Sequence, residues 1–92
     1  MKAEVFADYD AFEAAAKPGS VFFAEGGGPD RLWLHHFCPG CGEKSGLRLF
    51  GPNHPFWTME QRDPITLSPS VHHIAPSCGW HGWLRNGEWV LA

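Results

Sequence analysis

Cys38-Pro39-Gly40-Cys41-Gly42 and Cys78-Gly79-Trp80-His81-Gly82 are two copies of one pattern: a ligand-type residue at i, another at i+3, and a glycine directly after. A Cys-x-x-Cys turn aims two thiolates at one point, and a second such turn completes the tetrahedron that zinc accepts from sulfur and nitrogen. Backbone N–H groups have to curl toward a bound sulfur in such knuckles. Positive φ is therefore expected at Gly40, Gly42, Gly79 and Gly82, where glycine carries no steric penalty. Pro39 fixes φ at the first turn and lowers the entropy of its unfolded form. A redox Cys-x-x-Cys pair would call for a βαβ surrounding and would leave Cys78 and His81 without a role. The spacing makes Cys38, Cys41, Cys78 and His81 the expected ligands of one zinc ion.

Three cysteines and one histidine close a tetrahedral shell, which leaves no position for water or substrate and points to a structural zinc. His35, His36, His54, His72 and His73 compete for the fourth place, but only His81 has knuckle spacing. No catalytic residue is expected on this reading. Ser68 and Ser70 flank Pro69 without the strained Gly-x-Ser-x-Gly turn of a nucleophile elbow, so that stretch reads as a loop shaping a sheet edge.

At 92 residues the chain is expected to form one zinc-stabilised domain with a modest core: a helix-plus-strand leader over 1–29 and a zinc-ribbon-like core over 30–92. The count of three cysteines argues against a disulfide framework, and neither a signal-peptide h-region nor a membrane-length apolar run is present. A cytoplasmic protein is the expectation. A net charge of −3 removes the usual electrostatic support for binding phosphate backbones. Five tryptophans need a place, and most of Trp33, Trp57, Trp80, Trp83 and Trp89 are expected in the core, with one or two left as anchors for a partner.

The pattern predicts a small β-rich α+β fold, a zinc-ribbon-like antiparallel sheet with one short N-terminal helix. Asp8 to Lys17 reads as that helix, capped by Asp8 and stopped by Pro18-Gly19. Strands are expected over Ser20–Glu25, Arg31–Phe37, Leu47–Phe50, Phe56–Gln61, Ile65–Leu67 and Val71–Ile74. The polar stretch Glu43-Lys44-Ser45-Gly46 reads as a turn, and Gly26–Asp30 as a break. Trp80–Arg85 and Glu88–Leu91 flank Asn86-Gly87, the strongest short hairpin signal.

The knuckle at Cys38–Gly42, the stretch Pro64-Ile65-Thr66-Leu67-Ser68-Pro69-Ser70 and the closing Cys78…His81…Asn86-Gly87 together resemble a family of small, functionally unassigned proteins of phages and bacteria. Some of its members carry the label ammonia monooxygenase. The resemblance spans about Gly19 to Ala92 and implies a zinc-binding β-rich domain, without implying any particular substrate. The oxygenase label conflicts with the chemistry, because a sulfur-rich closed site selects zinc, which offers no redox states.

Three functions remain to be weighed. The first is a structural zinc-binding module acting as an adaptor for a protein partner, recognisable by an exposed apolar patch centred on Trp or Phe. The second is a zinc-dependent hydrolase with one open metal position and Glu43, Asp63 or a spare histidine as base. The third is single-stranded nucleic-acid binding through aromatic stacking, aided by Arg31, Lys44, Arg48, Arg62 and Arg85 gathered on one face. The adaptor without enzymatic activity is the reading the sequence favours.

Overall fold

The computed structural model describes residues 1–25, 32–49, 57–74 and 77–92. In chain order the elements are β1 (Val5–Phe6), α1 (Tyr9–Ala15), β2 (Val21–Glu25), β3 (Leu32–Phe37), β4 (Lys44–Arg48), β5 (Thr58–Arg62), β6 (Ile65–Ser68), β7 (Val71–His72), β8 (His81–Arg85) and β9 (Glu88–Leu91). The fold is thus β-rich with one short helix. Among the described residues the strands make a four-stranded sheet in the order β1-β2-β3-β4, a β5-β6 pair, and a three-stranded sheet β7-β8-β9. Every pairing is antiparallel except that of β1 with β2. The expected break at Gly26–Asp30, the start of β3 at Arg31 and the loop holding His54 lie outside the described residues.

Local chemistry accounts for the element ends. The Asp8 carboxylate accepts the Ala11 N–H at 2.8 Å, satisfying an orphan donor of the first turn, and Ala16 leaves the helix in the left-handed region at φ 44°. Asn86 and Gly87 both hold positive φ (49° and 74°), as the tight turn between β8 and β9 requires. One expected turn is instead strand: Lys44 and Ser45 pair with Phe37 and His36. The knuckle itself reverses the chain, with the Cys38 N–H donating to the Glu43 carbonyl at 2.8 Å, so no further turn residues are needed. Strand β1, which has no signal of its own in the sequence pattern, is two residues long and held by its parallel partner.

The core draws on all three sheets: Leu32 and Leu34 from β3, Leu47 from β4, Ile65 and Leu67 from β6, Val71 from β7, Leu84 from β8 and Trp89 from β9. Each of the fully buried side chains Leu34, Ile65 and Leu84 contributes about 1.5–3 kcal/mol by removal from water. Trp89 is buried and donates its indole N–H to the Gly19 carbonyl at 2.8 Å. Trp57 and Trp80 pack against the cluster, whereas Trp33 stands exposed. The tryptophans therefore divide broadly as expected.

Glycine is placed by two different constraints at the knuckles. Gly42 and Gly79 take positive φ, at 78° and 84°. Gly40 and Gly82 do not, and close neighbours account for them: a Cβ on Gly40 would sit 2.9 Å from the Trp80 Cδ1, and one on Gly82 would run into the Val90 backbone carbonyl first and, at 2.6 Å, into the Trp80 ring. Gly82→Ala is accordingly expected to cost about 1–3 kcal/mol by overpacking, read as a fall in Tm of roughly 5–20 °C. A Tm within 2 °C or so of the parent protein would contradict this packing.

Candidate functional site

Strand β3 runs directly into the first knuckle and the second knuckle runs directly into β8, so two sheets deliver their cysteines to one place. The sulfurs of Cys38, Cys41 and Cys78 lie within 4.8 Å of one another. Cys38 Sγ and Cys78 Sγ are 3.5 Å apart, close to the roughly 3.8 Å that two thiolates span on one tetrahedral zinc with Zn–S bonds of about 2.3 Å. The N–H groups of Gly40 and Cys41 point at Cys38 Sγ from 3.3 and 3.4 Å, the arrangement that stabilises a metal-bound thiolate. Burial pushes the Cys38 thiol up, opposed by those N–H groups. The Cys78 thiol is lowered, chiefly by the backbone N–H of Trp80. Cys38 is buried while Cys41 and Cys78 are exposed. Three sulfurs gathered this way, with two backbone N–H groups on the buried one, fit a metal ion.

His81 is not in that cluster. Among the described residues, no His, Asp or Glu has a ligand atom within the same 4.8 Å grouping as the three sulfurs. The His81 Nε2 instead lies 2.9 Å from the hydroxyl oxygen of Ser70. Of the alternatives, His35, His36, His72 and His73 are also placed elsewhere, and His54 lies outside the described residues. His36 and His73 share a buried hydrogen bond, Nε2 to Nε2, at 2.9 Å. Burial, then the neighbouring His73, pulls the His36 pKa down to about 4, which keeps the ring neutral near pH 7. His35 packs edge-on to Tyr9, and His72 faces His81.

Strand register explains the Ser70–His81 contact. β7 pairs with β8 through Val71↔Gly82 and His72↔His81. Side chains alternate along a strand, so Val71 and Gly82 turn to the buried side and Ser70, His72, His81 and Trp83 share the other face. Ser70, one residue ahead of β7, sits diagonally across from His81, within reach of a histidine side chain. The Trp57 indole N–H donates to the Ser70 carbonyl at 3.2 Å and ties the backbone of this serine down. A cleft of about 520 Å³ runs from His81 to the thiolate cluster, its walls including Gly40, Cys78, Trp80 and Leu91.

The remaining candidates do not gather at this place. Glu43 accepts a hydrogen bond from Ser77 at 3.0 Å, and Asp63 lies in the turn between β5 and β6. Of the basic residues, Lys44 pairs with Glu13 and Arg62 with Glu25, and the Arg85 guanidinium lies 4.5 Å over the Trp83 ring. Arg31 is outside the described residues. Among those that are described, no helix is long and apolar enough to cross a membrane.

Fold and site together define a β-rich protein in which a thiolate cluster able to hold a metal stands beside a serine–histidine contact. A family model described as "Bacterial ubiquitination-like system serine protease (BubE)" matches residues 8–92, and the chain belongs to that family. That description contains nothing of phage or of ammonia oxidation. No curated protein and no solved structure matches the chain.

Proposed function

We propose that this chain is a serine hydrolase of a bacterial ubiquitination-like system, with Ser70 as nucleophile and His81 as general base. The observation that carries the proposal is the 2.9 Å approach of His81 Nε2 to Ser70 Oγ, the geometry a base needs to take the hydroxyl proton. The family's description as a serine protease supports it. In the reaction, the Ser70 proton passes to His81 Nε2 as Oγ bonds to the carbonyl carbon of an amide or ester. The bond to the leaving nitrogen or oxygen then breaks as His81 returns the proton to it. Water, deprotonated by the same imidazole, releases the acyl group from Ser70.

Cys38, Cys41 and Cys78 are proposed to hold one zinc ion, since a thiolate set is soft enough to select it. The ion is proposed to act by position: Cys78 precedes His81 by three residues, so a fixed sulfur fixes the start of β8 and the ring it carries, while three sulfurs leave the fourth place of the tetrahedron to a further ligand or water. A protein is the expected partner as substrate. Leu91, 69% exposed on the wall of the cleft that His81 also lines, gives a protein an apolar contact beside the proposed base.

The test is covalent labelling with a fluorophosphonate, followed by mass spectrometry of the digested protein. The expected result is one adduct, on Ser70, absent from Ser70→Ala. Labelling of another residue, or none at millimolar probe over hours, would overturn the assignment.

A further inference from the structure

The base in a serine hydrolase needs a neighbour to hold its ring, and that neighbour is usually a carboxylate bonded to Nδ1. Here no carboxylate bonds to His81 among the described residues; its side-chain hydrogen bond is the one to Ser70. Two rings flank it instead. His72, directly across the strand pair, has its centroid 4.8 Å from that of His81 with the planes 35° apart. Trp83, two residues on along β8, lies at 6.0 Å and 36°. Trp83 is itself held by the Arg85 guanidinium over its face. The imidazole is thus confined by ring packing from across the sheet and along its own strand.

We infer that His72 is the positioning residue for His81, acting by the packing of its ring, with Trp83 as the second wall; this rests on the Ser70–His81 reading. Two observations favour packing over proton relay. No hydrogen bond joins the two imidazoles, and their planes are nearer to stacked than to edge-on. His72 is also exposed and adds little to the core, so its place on this face is not accounted for by folding. An imidazole free to swing about its side-chain bonds would leave Ser70 without an aligned acceptor for much of the time. Misplacement of about 1 Å at such a site costs on the order of 100-fold in rate.

The experiment measures hydrolysis of a p-nitrophenyl ester and the rate of fluorophosphonate labelling in the parent protein, His72→Ala and His72→Phe. Phenylalanine keeps a flat ring and removes both nitrogens. His72→Ala is expected to lower kcat by roughly 10- to 100-fold with KM changed less than about twofold, while His72→Phe stays within about threefold of the parent. Because the residue is exposed, circular dichroism and Tm should be unchanged in both. An unaltered labelling rate in His72→Ala would overturn the inference and leave the Ser70–His81 reading standing. His72→Phe as slow as His72→Ala would also overturn it, by placing the effect on a ring nitrogen. A parent protein that does not label would remove the dyad and this inference with it.

Discussion

Cys38→Ser is expected to lower Tm by about 20 °C or more and to release the metal, with Cys41→Ser markedly milder. The difference follows from surroundings. Cys38 is fully buried and takes two backbone N–H groups on its sulfur, whereas Cys41 is exposed at the edge of the cluster. Structural zinc contributes apparent free energies of about 10–16 kcal/mol in finger peptides, comparable with the whole net stability of about 5–15 kcal/mol of a folded domain. This chain also has a core of its own around Leu34, Ile65 and Leu84, so loss of the metal should weaken it severely rather than return every element to coil. Chelation by EDTA should act as Cys38→Ser does, and calorimetry with metal analysis of the same samples would check both. An unchanged Tm after complete removal of the metal would show that the cluster does not hold the fold together. The rate of Ser70 labelling should fall in step with Tm on chelation, because β8 begins three residues after Cys78.

The knuckles were legible because metal ligation is a local code: residue type, spacing and a following glycine are all visible in one stretch. The same is true of the Asn86-Gly87 hairpin and of the helix capped by Asp8. Spacing points to glycine at Gly40 and Gly82 on account of φ, when the cause is close packing: the Trp80 ring against both, and at Gly82 the Val90 backbone carbonyl closer still. That ring comes from the second knuckle and touches the first, a tertiary contact with no trace in local spacing. Ser70 was harder still. The nucleophile elbow is a strand-to-helix device, and its absence says nothing about a serine that enters an edge strand of an antiparallel sheet. Serine–histidine pairs are set by geometry and not by a fixed spacing. The one available signal was alternation: Ser70 and His72 share a face of a strand, and His81 opens the next one. Only the register of Val71 with Gly82 turns that into a contact.

His81→Ala separates two chemistries that its sequence position allows. Three residues after Cys78, the ring is spaced to be the fourth ligand; at 2.9 Å from Ser70 Oγ, its Nε2 is placed to take a proton. The same nitrogen cannot do both, since a metal would occupy the lone pair that the serine proton needs. On the dyad reading the variant should keep one metal per chain, because the three sulfurs that gather without His81 are untouched, and Tm should move by only a few degrees. Labelling at Ser70 should fall by about 10³-fold or more, the scale on which serine hydrolases lose activity with their histidine. Metal analysis of purified His81→Ala, beside its labelling rate, reads both at once. A variant that is folded and metal-free would return His81 to the coordination shell and leave Ser70 without its base. One that keeps the metal and loses only the labelling would fix the division of labour: the sulfurs hold the start of β8 in place, and the histidine at its first position does the chemistry.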